Sequence, residues 1–357
     1  MLREIEQGTD CREIALTGSR EQEELSAGCL FSGMGGFATG LRSAGLRVDW
    51  ATDNDPFASR TFRHRFAEVP FIETDVKCLG VRQLTPVDIL AGGFPSQSFS
   101  QAGARKGFDD PRGSLFFEIP RLLKEWTPAE RPKFVVLENV PHLLYGADGD
   151  WFVRIRRALR QAGYWFRESH CWIGNVREYT DIPQDRERLF LVAASKYFFS
   201  YNPFAAPVVE PDVSAPRRTV LDIVDSSQRA APEDYLPAGN QYLEMIEAAI
   251  AKGESPKNLY QLRRNYVREK KGGLCPTLTA NMGIGGHNIP FVRDTWGVRR
   301  LRVEEVAALQ GFGCCERLFP EEVPIHEQYR LIGNAACPAL VEVVARQCIA
   351  AIGGRHD

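Results

Sequence analysis

The chain has 357 residues, a quarter of them charged and 44% hydrophobic, with a formal net charge of −2. That length suits one large domain plus a smaller one. The near-neutral balance excludes binding to nucleic acid by bulk charge, so any such surface must be local. No apolar run approaches the roughly 20 residues of a membrane span, and the mixed-charge start does not read as a signal peptide. Nine cysteines lack a Cys-x-x-Cys pair, and Cys314 and Cys315 are adjacent. This suits reduced thiols in a cytoplasm rather than a disulfide framework. Six scattered histidines show no ligand spacing, so no metal is expected.

Residues 1–24 are charged and aperiodic, and read as a frayed helix or tail. From Ser26 a short strand enters a turn holding Phe31, Ser32, Gly33, Gly35 and Gly36, followed by an amphipathic helix through Leu41. The glycines open space for a nucleoside and leave helix N–H groups free for an anion. Their spacing is not Gly-x-Gly-x-x-Gly, which sets aside a nicotinamide dehydrogenase. A second strand, Leu46 to Thr52, ends at Asp53 and Asn54. A carboxylate at that strand end accepts from two ribose hydroxyls. Asp75 ends the next apolar run, where it is placed to accept from an adenine amino group. Taken singly, either Asp is as readily a helix cap; in series behind the glycine loop, binding is the better reading.

The apolar run Val87–Ala91 ends in Gly92-Gly-Phe-Pro-Ser96. Glycines let backbone approach a ligand, and Pro95 stiffens the turn presenting Ser96. Open α/β sheets bind ligands at such strand ends. Residues 97–113, basic at Arg105 and Lys106, read as a lid and close on Asp110-Pro-Arg-Gly-Ser-Leu115. Phe134–Pro141 reads as a buried parallel strand whose Glu138 faces a pocket, which raises its carboxyl pKa. Trp151–Gly163 is a basic amphipathic helix that packs. Gln184, Arg186 and Arg188 alternate and share one face of an extended chain. The two guanidiniums fit a solvated edge or, beside an anion-handling pocket, a clamp on a pyrimidine carbonyl and a phosphate.

Composition changes at Tyr201, where prolines 203, 207, 211 and 216 mark a linker. Residues 201–298 form a small domain. Between Lys257 and Arg302, ten Lys or Arg face only Glu269 and Asp294, an excess of +8. Interleaved with Tyr260, Tyr266 and Trp296, this reads as a phosphate-backbone surface, with a solvated basic face as the plain alternative. The glycine-rich stretch from Cys275 to Pro290 suits threading a groove. The tail returns to the core through Arg299–Phe312 and a last apolar helix after Gly333 and Asn334.

Six of these stretches, in order from Leu25 to about Ala351, resemble the bacterial DNA (cytosine-5) methyltransferases. They are Phe-x-Gly-x-Gly at 31–35, Gly-Gly-Phe-Pro-x-Gln-x-Phe-Ser at 92–100, Asp-x-Arg-Gly-x-Leu-Phe at 110–116, Glu-Asn-Val at 138–140, Gln-x-Arg-x-Arg at 184–188 and Gly-Asn-Ala at 333–335. The resemblance implies a doubly wound α/β S-adenosylmethionine-dependent core (25–200), a target-recognition domain (201–298) and a C-terminal segment returning to the core (299–357). It assigns the cofactor, with S-adenosylhomocysteine as product, to the glycine loop, Asp53, Asn54, Asp75, Pro95, Leu115 and Asn334. A flipped cytosine falls to residue 96, Glu138, Arg186 and Arg188, with Glu138 on N3 and the exocyclic amine and Arg188 on O2. Double-stranded DNA is the implied partner, contacted by Gln97, Ser100, Arg105, Arg263, Arg264 and His287. The protein is expected to be a cytoplasmic monomer, and a companion restriction or defence system is implied.

Two departures stand out. Arg302 and Glu304 replace the family's Thr and Arg where the small domain is braced. More consequentially, Ser96 occupies the place of the nucleophilic cysteine. A free thiol yields a few per cent thiolate at neutral pH, whereas an unactivated serine yields essentially no alkoxide. No Ser-His-Asp set or Gly-x-Ser-x-Gly elbow is visible to supply a base. The chain is therefore expected to bind cofactor and DNA and to turn over very poorly. An engineered Cys-to-Ser change and a natural non-catalytic DNA-binding homologue both account for Ser96. An RNA cytosine-5 methyltransferase of the same fold is a further reading, disfavoured by the basic small domain.

Overall fold

The computed structural model describes residues 24–99, 107–203, 217–283, 288–313 and 317–354. The N-terminal tail, Ser100, Arg105, Lys106, linker prolines 207, 211 and 216, His287, and Cys314 and Cys315 lie outside the described residues.

The first half contains β1 (Ser26–Leu30), α1 (Gly36–Ser43), β2 (Arg47–Asp53), α2 (Pro56–Arg65), β3 (Phe71–Glu73) and β4 (Ile89–Gly92). There follow α3 (Glu118–Glu125), β5 (Phe134–Asn139), α4 (Asp150–Gln161), β6 (Tyr164–Trp165), β7 (Cys171–Asn175), α5 (Val176–Tyr179), β8 (Gln184–Asp185) and β9 (Glu187–Ser195). One sheet runs in the order β3-β2-β1-β4-β5-β9-β6, with β7 also paired to β9. Its first five strands are mutually parallel, and β9 is antiparallel to β5. The chain moves outward from β1 to β3 and then returns to β4. The strand order thus reverses between β1 and β4, where a sheet of this kind opens a crevice.

Alternating side chains separate the two faces, as strand geometry requires. Ile89, Ala91, Phe134, Val136 and Val192 pack on one face with Phe37 and Leu41 of α1. Leu90, Val135, Leu137 and Leu191 pack on the other with Leu122 of α3 and Ile155 of α4. The expected doubly wound core is what forms.

The remaining elements are α6 (Gln241–Lys252), β10 (Leu259–Leu262), β11 (Val267–Lys270), β12 (Cys275–Pro276), β13 (Pro290–Arg293), β14 (Val298–Arg300), α7 (Val303–Gln310), α8 (Ile325–Asn334) and α9 (Pro338–Gly353). A second sheet, β11-β10-β13-β14, is antiparallel and packs α6 over Tyr260, Leu262 and Phe291. Strand β14 carries this sheet to Arg300, so the boundary read at 298/299 falls inside a strand. Strand β12 leaves it altogether and pairs with β8 of the large domain. Leu278 and Met282 beyond it join Met34, Val306 and Leu331 in a shared core, and that burial draws the stretch out of the small domain. The apolar stretch through α8 and α9 is long enough by composition to cross a membrane. It breaks at Ala335–Cys337 and buries Leu340, Val341, Val344 and Cys348 against α1 and the sheet.

The local charge excess of the small domain is smaller in three dimensions than along the chain. Lys270 pairs with Asp185, Lys271 with Glu254, Arg293 with Glu247, Arg299 with Asp294 and Glu305, Arg300 with Asp234, and Arg302 with Glu305. Five carboxylates outside the counted segment, Glu305 shared by Arg299 and Arg302, thus pair with six of the ten cations, which a count over one segment cannot register. Tyr260 is buried and donates its hydroxyl to the Ser255 carbonyl, so it is core rather than surface. Tyr266 and Trp296 are exposed.

Asp185 fastens the large domain to the small one, accepting from Asn175 and Lys270. Burial pushes its carboxyl pKa up, but Lys270 and Asn175 outweigh this and hold it below the usual range. A carboxyl held low in the folded state adds stability above its unfolded pKa of about 3.9, and that stability is lost as pH falls through the folded value. Asp185→Asn is therefore expected to lower the urea midpoint at neutral pH, with a deficit that shrinks below about pH 4. An equal deficit at both pH values would show that the charge is not what Asp185 contributes.

Candidate active site

At the switch point lies a cavity of about 450 Å³, walled by the ends of β1, β2 and β4 and by the start of the α8–α9 connection. The glycine turn forms one wall. Phe31 takes the left-handed conformation at φ 51°, and Gly33 follows at φ 55° with open space where a Cβ would stand. A Cβ on Gly36 would lie 2.3 Å from the Ala336 carbonyl oxygen. Only glycine lets α1 lie on that segment, which brings Asn334 to the cavity wall. Asp53 accepts from Gly33 N–H at 2.8 Å and from Asp55 N–H at 3.0 Å, tying the turn to β2. Burial raises its carboxyl pKa against those hydrogen bonds. Asp75 caps a short turn by accepting from Lys77 N–H while also facing the cavity.

The cavity wall thus includes Phe31, Ser32, Gly33, Gly36, Asp53 and Asn54 from the first half of the expected set. Asp75, Pro95, Leu115 and Asn334 complete it. Gly35 does not line it. Its φ is 93° at the start of α1, where a Cβ would meet the Phe66 ring at 2.4 Å, so its role is the turn itself. Sequence reasoning missed the Asp55–Arg330 pair (2.6 Å) and Arg112, which also reach the cavity. Arg112 holds Asp110 by a backbone and two side-chain hydrogen bonds, keeping that carboxyl well below the usual range. Arg330 stands three residues before Gly333, yet only the approach of α8 to the start of α2, which Asp55 caps, reveals its partner.

The opposite corner carries Ser96 and Glu138. A Cβ on Gly92 would lie 2.3 Å from the Leu30 carbonyl oxygen, so glycine is required for β4 to enter its turn. Fully buried Asn139 donates to the Phe94 carbonyl at 3.0 Å and fixes the loop that presents Pro95 and Ser96. Ser96 and Glu138 line the same cavity as the glycine turn. Arg188 Nε lies 2.8 Å from Glu138 Oε1, with both side chains largely enclosed. Burial raises the Glu138 pKa, opposed by Arg188 and then Arg186. Burial likewise lowers that of Arg188.

Arg186 is a correction. Its buried guanidinium donates to the carbonyls of Leu278 (2.8 Å), Gly333 (3.2 Å) and Ala335 (3.0 Å), and does not reach the cavity. Burial pushes its pKa down to about 9. Gln184 is engaged similarly, with Leu309, Gln310 and Leu278. The shared face expected from alternation fails because Arg186 sits between β8 and β9, where the chain changes pairing partner. Gln97 is exposed at the rim. Arg263 and Arg264 lie away from the cavity in the turn closing β10 and β11, where Arg263 N–H donates to the Tyr266 carbonyl. Neither has a carboxylate partner among the described residues.

Among the described residues, no group of three or more His, Cys, Asp or Glu side chains converges as a metal would require. Residues 27–350 match the family model for C-5 cytosine-specific DNA methylase. The Type II methyltransferase M.Bsp6I of Bacillus sp. (strain RFL6) is 33% identical over 324 residues, covering 90% of this chain and 97% of its own length. The Type II methyltransferase M1.ScrFI of Lactococcus lactis subsp. cremoris is 29% identical over 343 residues, 94% of this chain and 81% of its own. The solved structure of the Entamoeba histolytica methyltransferase EhMeth superposes with a TM-score of 0.69 over 92% of this chain and 99% of its own, at 16% identity, a likeness of fold.

Arg186→Ala leaves three buried carbonyls without their donor. Hydrogen bonds to charged groups contribute about 1.5–3 kcal/mol each, so a loss of at least about 3 kcal/mol in urea unfolding is expected. A loss below about 1 kcal/mol would show that the three carbonyls find other donors.

Proposed function

The chain belongs to the C-5 cytosine-specific DNA methylase family, and on that premise we propose that its cavity takes S-adenosylmethionine beside a cytosine everted from duplex DNA. The observation that carries this reading is the convergence of Ser96, Glu138 and the glycine turn on one cavity, with Arg188 on Glu138. The cavity suits the cofactor. Open space at Gly33 admits a nucleoside, the Asp53 carboxylate keeps lone pairs for ribose hydroxyls, and Asp75 faces the place of a purine amine. When bound, S-adenosylmethionine supplies an electrophilic methyl group.

Cytosine C5 is buried in a stacked duplex, so the base rotates out at a cost of a few kcal/mol. Glu138, its pKa raised by burial, donates its proton to N3 while its second oxygen accepts from the exocyclic amine. Arg188 holds Glu138 and donates to O2. These contacts draw electrons from the ring and open C6 to a nucleophile. Residue 96 is where that nucleophile stands, and a serine hydroxyl without a base does not ionise there. The machinery to bind and activate the base is present, while the group that attacks it is weak. The β10–β11 turn, with Arg263, Arg264 and exposed Tyr266, supplies contacts to DNA, as does Gln97. A companion restriction enzyme is proposed from the Type II names of the relatives.

Ser96→Cys is expected to raise transfer of labelled methyl into duplex DNA by orders of magnitude, and bisulfite sequencing then gives the site. If this variant binds DNA but methylates nothing, the protein is a non-catalytic DNA-binding member. Methyl incorporated into transfer RNA alone replaces DNA with RNA as substrate. Adding Glu138→Gln to Ser96→Cys is expected to cut the rate by about 10²-fold or more. An undiminished rate removes Glu138 from the chemistry.

A further inference from the structure

Beyond Asp150 in its first turn, the charged residues of helix α4 are all cations. Arg156, Arg157 and Arg160 line, with Lys196, a trough of about 400 Å³ on the outer surface of the large domain. None of the four makes an ion pair among the described residues. Other helical arginines mostly have carboxylate partners, Arg121 with Glu118 and Glu125 in α3, Arg346 with Glu342 in α9, and Arg42 and Arg63 with Glu68 and Glu73 beyond their helices; a lone Arg60 in α2 lies over Phe57 instead. The inner side of α4 is occupied by packing, with Trp151, Ile155 and Leu159 buried, so the row of cations is not needed to hold the helix in place.

The trough is lined by these four cations together with Gln161 and one apolar side chain, Val153. Arg156 lies over the Phe152 ring at 5.8 Å and Lys196 over the Trp165 ring at 4.9 Å, so the nearby aromatics are covered by the cations themselves. Protein interfaces centre on aromatic and apolar groups. Guanidiniums in a row match phosphates, which they bind bidentately. The trough is also remote from the cavity. Lys196 follows β9, whose Ala194 pairs with Phe134 at the start of β5, while Glu138 stands at the other end of that strand. Four residues of strand separate the two ends by about 13 Å, and α4 itself lies on the face of the sheet opposite α1 and α9.

We propose that this trough is a second, sequence-independent site for the backbone of duplex DNA, so that one chain holds a second duplex segment while the first occupies the cleft. The proposal rests on the reading that duplex DNA is the substrate. Its benefit to the protein is retention: a chain leaving one segment is already held on another, which shortens the search for a target.

The test is the stoichiometry of the full-length protein with a duplex of about 15 base pairs at low salt, by sedimentation. The wild type is expected to bind two duplexes. Arg156→Gln/Arg157→Gln/Arg160→Gln is expected to bind one, as is the milder Arg157→Gln/Lys196→Gln. The binding step that disappears has a slope of log K against log salt of about −3 to −4, from roughly −0.9 per phosphate contact. One duplex per wild-type chain, or two per triple-variant chain with an unchanged unfolding midpoint, overturns the second site and leaves the cleft reading intact. No duplex bound by either overturns both. If polyglutamate binds the wild type but not the triple variant, and the wild type takes only one duplex, an acidic protein is the partner and the proposal fails.

Discussion

One buried guanidinium holds three parts of the chain at a common point. Arg186 reaches from the start of β9 to Leu278 in the returning stretch of the small domain and to Gly333 and Ala335 at the α8–α9 connection. Its two Nη groups donate only to carbonyls, while its buried Nε has no hydrogen-bond partner among the described residues. A cation in such a place is costly, as its lowered pKa records, and the three carbonyls are what offsets that cost. The cavity depends on this knot. Asn334, Ala335 and Ala336 line its wall, and the carbonyl of Ala336 in turn excludes any side chain at residue 36.

A second buried charge sits two residues away in sequence but performs a different task. Arg188 pairs with Glu138 at the cavity edge, so the carboxyl is pulled two ways, toward the neutral form by burial and toward the ionised form by the guanidinium. Perturbed carboxyls of this kind cluster at functional sites. Asn139, next along β5, secures the Phe94 carbonyl and hence the turn bearing Ser96. Consecutive residues of one strand therefore hold Glu138 and the turn that bears Ser96 at one cavity. The serine at position 96 leaves this support unchanged, because neither interaction involves its side chain.

The two basic regions show that charge along the chain and charge in space are different quantities. The small domain reads as strongly basic, yet Asp185, Asp234, Glu247, Glu254 and Glu305 cancel most of it from outside or from the edge of the counted segment. Helix α4 reads as an ordinary packing helix, and it does pack. Its outward cations nevertheless remain uncompensated among the described residues, because α4 lacks the acidic partners at i+3 or i+4 that α3 and α9 supply.

What the sequence determined by itself is whatever depends on neighbours along the chain. The period of Ile89-Leu-Ala and Phe134-Val-Val-Leu yields strands buried on both faces. The glycines at 33 and 36 and at 92 and 93 mark turns that come close to other backbone or to a cavity, and Asp53, Asp75 and Glu138 fall at strand ends that reach one crevice. The tertiary structure alone decided which alternating arginine pairs with Glu138, which cations lack a carboxylate partner, that β12 abandons its own domain for β8, and that Arg330 meets Asp55. Those outcomes turn on contacts between segments tens to hundreds of residues apart. Periodicity and spacing report how a segment folds on itself, and they are silent about which distant carbonyl or carboxylate will stand opposite a given guanidinium.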